Sequence, residues 1–174
     1  NPNHPLLLKL SAQAPGTYHH SVTVAELCQA AADALGIDTL LAKAYALYHD
    51  VGKLKQPEIF IENQNTAKNP SFEMSPDILA KKIISHVPYG VKLAKEYNIP
   101  TKIIRSILTH HGTSKTNYLY QLTLKSEKSL EVNEKMFTYP GQLPRNKEES
   151  LLMLADGVEA AVRSSENKNP QNIR

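Results

Sequence analysis

Apolar residues recur at spacings of three and four along almost the whole of this chain, and that pattern restricts it to a helical fold. Val24, Leu27, Cys28, Ala31 and Leu35 trace one helix, stopped by Gly36. Leu40, Leu41, Ala44, Leu47, Tyr48 and Val51 mark a second, ended by Gly52. Ser75-Pro76 starts a third, which continues through Leu79, Ile83, Ile84, Val87, Val91 and Ala94. Pro100 opens a fourth in its first turn, where a missing N–H costs nothing, with Ile103, Ile104, Ile107, Leu108 and His111 along one side. The last begins near Lys147 and carries Leu151, Leu154, Ala155, Val158 and Ala161. The expectation is an all-α bundle forming a single domain over residues 1–174.

Two stretches interrupt the pattern. Residues 56–74 are rich in Asn, and residues 113–146 include Tyr139-Pro140-Gly141 and Pro144-Arg145. Both read as loops, with a short helix near Tyr118 to Lys125. Loops of that length in a compact domain border a site or a partner.

Composition excludes several classes. A chain of 174 residues buries enough surface to stand without disulfides. Its single cysteine, Cys28, lies on an apolar stripe and reads as a small core residue in a reducing compartment. The net charge of +3 is spread out, with short clusters at Lys81-Lys82 and Lys125 to Lys128. That is no footprint for a DNA or RNA polymer, but it favours a small anionic substrate. No apolar run nears the ~18 residues of a membrane span, and no signal peptide is present. The chain starts at Asn1 rather than Met and reads as a piece of a longer protein.

The chemistry lies in the histidines. Of seven, His20, His49, His86, His110 and His111 stand on or at the ends of the expected helices, together with Asp50 and Asp156. Neighbours on a helix point ~100° apart, so His49 and Asp50 reach one centre only near a helix end. A lone inward histidine is usually a hydrogen-bonded core residue. Five with two acids in one small bundle are satisfied most economically by metal ions. Imidazole and carboxylate without thiolate suit Fe, Mn, Zn or Ni over Mg or Ca. Seven ligands exceed what one ion takes from protein, so we infer two ions joined by a bridging carboxylate.

The string His49-Asp50-Val51-Gly52-Lys53 resembles the signature of the HD superfamily, and the order His20, His49-Asp50, His86, His110-His111, Asp156 resembles its two-metal branch. Further blocks resemble the seven-transmembrane receptors with an intracellular HD domain: residues 14–21, Phe60-Ile61-Glu62-Asn63-Gln64, His110-His111-Gly112-Thr113-Ser114, Tyr139-Pro140-Gly141, and Leu154-Ala155-Asp156 through Glu159 to Ser164. The stretch from Lys125 to Phe137 has no match, and Gln142-Leu143-Pro144 differs from the commoner Pro-x-Pro. The resemblance implies an HD-domain helical bundle on the cytoplasmic face of a membrane, behind transmembrane helices. It implies hydrolysis of cyclic di-AMP to linear pApA by a hydroxide activated between two divalent ions, Fe or Mn. The implied ligands are His20, His49, Asp50, His86, His110, His111 and Asp156, with Asp50 bridging and catalytic. His20 is preferred to His19 because the family ligand directly precedes the serine, here Ser21. A homodimer is compatible with this reading.

Lys53 follows the pair by one turn and reads as a catalytic, phosphate-contacting cation, against the plainer role of a solvated helix-end lysine. Tyr18, Tyr139 and Arg145 are candidate substrate contacts. Arg105 and Arg163 read as surface helix residues, His19 as structural, and His4 as part of a frayed terminus. Rival readings keep the ligands and change the output: hydrolysis of cyclic di-GMP or a mononucleotide, di-iron oxygen chemistry, or a nucleotide sensor without turnover. The Gly-Tyr-Pro block of cyclic di-GMP enzymes is absent near His110-His111.

Overall fold

The computed structural model describes residues 3–64, 74–125 and 132–164. Eight α-helices run in order: α1 Pro5–Gln13, α2 Pro15–Leu35, α3 Thr39–Tyr48, α4 Pro76–Ile84, α5 His86–Glu96, α6 Thr101–Thr109, α7 Asn117–Leu124 and α8 Lys147–Ser164. No strand forms among the described residues, where the one extended pairing is an isolated antiparallel bridge between Lys115 and Thr138. None of their helices is long and apolar enough to cross a membrane.

The chain's own chemistry sets the ends. Pro5, Pro15 and Pro76 each occupy the first turn of a helix. The Asp38 carboxylate accepts the Leu41 N–H at 2.9 Å and caps α3. At α8, Asn146 accepts the Glu149 N–H at 2.7 Å while the Glu149 carboxylate accepts the Arg145 N–H at 2.8 Å, a variant of the reciprocal capping box. Glu149 is fully buried, and the Arg105 guanidinium donates two bonds to it, at 3.0 and 3.2 Å. Arg105 is therefore half-buried and tied to α8 rather than a free surface residue.

Three apolar clusters hold the bundle. The first joins α1 (Leu6, Leu7, Leu10) to Tyr48, Val51, Leu93, Ala94, Ile104 and Ile107. The second joins Val24, Cys28 and Ala32 of α2 to Ala42, Tyr45 and Ala46 of α3 and to Leu152 and Ala155 of α8. The third gathers Ile59, Phe60, Leu79, Ala80, Leu119 and Phe137 under the two long connections. Each fully buried leucine contributes about 1.5–3 kcal/mol. Cys28 is core as expected, and burial pushes its thiol up to about 12.

Several boundaries differ from the sequence reading. Helix α1 has no counterpart in it, and His4 is ordered: its Nδ1 accepts the Leu6 N–H at 3.2 Å and its ring meets Tyr48 edge-on. The expected third helix breaks at Ser85, where the chain passes from the third cluster to the first. Pro100 caps α6 from outside instead of standing in its first turn. The expected loops hold 3₁₀ turns at Pro57–Ile59, Ile61–Asn63 and Glu134–Phe137, and the short helix near 118 is α7. The faces of α3 and α8 are also rotated from the apolar pattern. Leu40, Leu154 and Val158 are exposed, because the inward faces carry Ala42, Tyr45 and Ala46, and Glu149, Leu152 and Ala155.

Candidate metal centre

The centre is assembled from five helices, α2, α3, α5, α6 and α8, and the turn that follows α3. The inward face of α2 carries Thr17, His20, Ser21 and Val24 in succession, so His20 is buried while His19 is exposed. Helix α3 ends at Tyr48 with His49 as its C-cap, and Asp50 leaves the helix at φ −106° to enter the 3₁₀ turn Val51–Lys55. The expected helix stop at Gly52 therefore falls inside that turn. Its role is close packing, since a Cβ on Gly52 would lie 1.8 Å from the His86 carbonyl oxygen. His86 is the first residue of α5, His110 caps α6 and His111 follows it. Asp156 lies on the face of α8 turned toward α2.

All seven residues meet at one place, in two groups. Atoms of Asp50, His86, His110 and His111 lie within 4.8 Å of one another, and so do atoms of His20, His49 and Asp156. Asp50 stands between them. Its Oδ2 is 3.5 Å from His20 Nε2 and 3.2 Å from His49 Nε2; its Oδ1 is 3.4 Å from His86 Nε2 and 3.6 Å from His110 Nε2. Asp156 Oδ1 adds contacts of 3.1 Å to His20 and 3.7 Å to His49.

The ring orientations are fixed from behind. The Nδ1 atoms of His49, His86 and His110 meet the carbonyl oxygens of Ala46, Ile83 and Ile107 at 2.7, 2.6 and 3.0 Å. A carbonyl only accepts, so each Nδ1 carries the proton and each ring turns its Nε2 toward the centre. The result is electron-rich. The Nε2 atoms of His86 and His110 face each other at 3.3 Å, and buried His49 Nε2 and Asp50 Oδ1 have no hydrogen-bond partner. Orphaned buried acceptors of this kind are costly and fit a cation between them. The donor set is imidazole and carboxylate without thiolate, so this His/Asp cluster is a divalent-metal-binding arrangement.

Electrostatics agree. Burial disfavours a charged carboxylate at Asp50, but Lys53 and His49 outweigh it and hold Asp50 well below the usual range. Burial likewise opposes ionisation of Asp156, and bonds to His20 and His49 hold it low. Burial drives His86 down to about 3, and burial with the neighbouring His110 lowers His111. At His49, burial also works against a charged ring, yet Asp50 and Asp156 raise it to about 10. A proton and a divalent cation thus compete for the same nitrogen.

Supporting residues were not foreseen. Glu159 Oε2 meets His20 Nδ1 at 2.6 Å, and Arg163 Nη1 lies 3.5 Å from the same oxygen, so Arg163 also serves the centre. Glu159 sits three residues after Asp156, a spacing that puts both on one helix face and was readable in advance. Glu62 binds Lys53, a pairing that no local pattern announces. Lys53 Nζ is 2.8 Å from Asp50 Oδ2 and 2.6 Å from Glu62 Oε1; it is buried rather than solvated.

The remaining candidates are dispersed. Tyr139 is buried and stacks on His111 with centroids 4.2 Å apart. Its backbone is pinned by Tyr139 N–H to Ser114 O at 2.9 Å and Gln142 N–H to Leu108 O at 3.0 Å. Tyr18 packs against the first apolar cluster. Arg145 lines a separate cleft of about 550 Å³ with Leu35, Pro144, Leu151 and Leu154.

The HD domain family model matches residues 17–161. The chain is 46% identical over 173 residues to the cyclic-di-AMP phosphodiesterase PgpH of Bacillus subtilis (strain 168), covering 99% of this chain and 24% of that protein. It is 43% identical over 165 residues to PgpH of Listeria monocytogenes serotype 1/2a (strain 10403S), covering 95% and 23%. The chain therefore spans about a quarter of the length of these relatives. The crystal structure of the L. monocytogenes PgpH HD domain in complex with cyclic-di-AMP aligns with a TM-score of 0.93 at 41% identity, over 99% of this chain and 80% of that one. Sequence and fold agree, and the chain belongs to the HD domain family, alongside the HD domain of PgpH.

Proposed function

We propose that this chain hydrolyses cyclic di-AMP to linear pApA with two divalent ions, Fe or Mn. The observation that carries this is Asp50, which offers one oxygen to each of two ligand groups in a domain whose solved relative holds cyclic-di-AMP. In the proposal His20, His49 and Asp156 hold one ion, His86, His110 and His111 hold the other, and Asp50 bridges them. When bound, such a pair supplies a nucleophile at neutral pH and offsets charge on a phosphodiester.

The chain's own groups do the rest. The three carbonyl-anchored rings keep their Nε2 atoms turned to where the ions would sit, and Glu159 orients His20 in the same way. Tyr139 holds the His111 ring by stacking, and Lys53 brings an ammonium into contact with Asp50. Tyr18 and Arg145 are not needed for this scheme. The wider assignment, which the resemblance of the sequence blocks implies, is one domain of a membrane protein working on the cytoplasmic face behind transmembrane segments; the relatives are long enough to hold further segments.

The test is turnover by chain loaded with Mn(II) or, anaerobically, with Fe(II), offered cyclic di-AMP, cyclic di-GMP and mononucleotides separately. Linear pApA from cyclic di-AMP, with two ions per chain, is the expected result. Tight binding without product would instead make the domain a sensor, and preferred cleavage of cyclic di-GMP would change the substrate. A second measurement addresses the ligands. Glu159→Gln leaves His20 in place but removes the charge behind it, and weakens metal binding by ~10–100-fold in a calorimetric Mn(II) titration. An unchanged isotherm would remove Glu159 from the scheme.

A further inference from the structure

Lys53 is held from two sides. Besides Asp50, it touches the Glu62 carboxylate at 2.6 Å and lies 4.9 Å from the centroid of the Phe60 ring. Glu62 Oε1 also accepts the Thr17 hydroxyl at 3.2 Å. The backbone carrying Glu62 is fastened to the first turn of α2. Asn63 Oδ1 accepts the Thr17 N–H at 3.0 Å, and Asn63 Nδ2 donates to Thr17 Oγ1 at 2.8 Å and to the Pro57 carbonyl at 3.2 Å. Contact is close enough that a Cβ on Gly16 would lie 1.8 Å from the Glu62 carbonyl oxygen. Residues 14–21 and 60–64, far apart in sequence, thus form one latch three residues from His20.

We propose that Glu62 is a positioning residue that holds the Lys53 ammonium beside the metal centre, and that the Gly16-Thr17 to Glu62-Asn63 latch sets where it does so. The proposal rests on the phosphodiesterase reading above. A lysine is a point charge on a flexible four-carbon stem, so it needs an anchor to keep one position. Asp50 is a poor sole anchor, because its Oδ2 also faces His20 and His49, and ions bound there draw on the same oxygen. Glu62 lies outside both ligand groups and remains available as the counter-charge. With two of three N–H donors directed at Asp50 and Glu62, the third is left for a phosphate oxygen.

The test uses E62Q, K53M and the double variant, each loaded with Mn(II). E62Q should keep two ions per chain and a KM for cyclic di-AMP close to wild type, while kcat falls about 10–100-fold, the scale of a misplaced group. The double variant should be no slower than K53M, because Glu62 acts only through Lys53. Independently of any substrate, acetylation of Lys53 followed by mass spectrometry should be faster in E62Q than in wild type at unchanged Tm. If E62Q does not fold, T17V, which removes the hydroxyl that donates to Glu62, gives the same labelling readout. Losses that multiply in the double variant, or Lys53 labelling that stays at the wild-type rate, would overturn the proposal. Wild-type protein that binds two ions but cleaves no cyclic di-AMP would instead overturn the phosphodiesterase reading, leaving the labelling result to decide on Glu62.

Discussion

Asp50→Ala should leave a folded chain that holds fewer than two ions and turns over cyclic di-AMP more than ~10³-fold slower, the scale of losing a catalytic unit outright. The reason is the division of its oxygens, Oδ2 toward His20 and His49 and Oδ1 toward His86 and His110. Among the described residues no other carboxylate reaches both groups: Asp156 contacts only His20 and His49 among them. Removing Asp50 also strips Lys53 of one of its two anions, although Glu62 keeps the ammonium paired and so protects the fold. Elemental analysis beside a melting curve separates these effects. A variant that retained two ions and full turnover would end the two-ion account, whatever its Tm.

Gly52→Ala has the largest effect on stability. Its Cβ would lie 1.8 Å from the His86 carbonyl oxygen and 2.7 Å from the Gly90 nitrogen, and backbone atoms cannot rotate away as a side chain can. Relief requires moving the start of α5, and His86 with it, away from the 51–55 turn. A loss above ~4 kcal/mol is expected, in the range reserved for disruption of a core contact. Gly36→Ala is the control. That residue is left-handed at φ 63° with nothing within 4 Å of a built Cβ, so only the backbone preference is lost, at ~1–2 kcal/mol. Urea denaturation ranks the two. Equal losses would show that the Gly52 contact relaxes freely and that the approach of the turn to α5 is not what fixes His86.

How much of this could be read from the chain depends on whether the governing interaction is local. Most helices were legible because the apolar period is local, and the five histidines and two acids were legible because buried imidazoles demand partners. The faces of α3 and α8 were misjudged for a related reason. Where a helix turns His49 or Asp156 and Glu159 inward, its apolar residues are displaced outward, and Leu40, Leu154 and Val158 look like core without being core. The break at Ser85 was hidden because Ile83, Ile84 and Val87 keep a helical period across a point where the chain changes the cluster it packs in. The role of Glu62 is not legible in the chain, although its block from Phe60 to Gln64 stands out by resemblance. Its meaning comes from Thr17 and Lys53, one of them 45 residues away, and only tertiary structure brings the three together.

The packing of α2 against α8 also orders events in time. His20 precedes Glu159 by 139 residues, yet it meets Asp156 and Glu159 at 3.1 and 2.6 Å. Contacts of such long sequence separation are slow to form, because the loop between must close before they contribute anything. During synthesis the turn with His49 and Asp50, then His86, then His110 and His111, all leave the ribosome before the helix that completes the His20 group. The group of Asp50, His86, His110 and His111 draws on elements that precede α8, whereas the His20 group waits for α8 to dock. A chain cut short before α8 lacks both Asp156 and Glu159, so docking of that helix is the step that completes the His20 group.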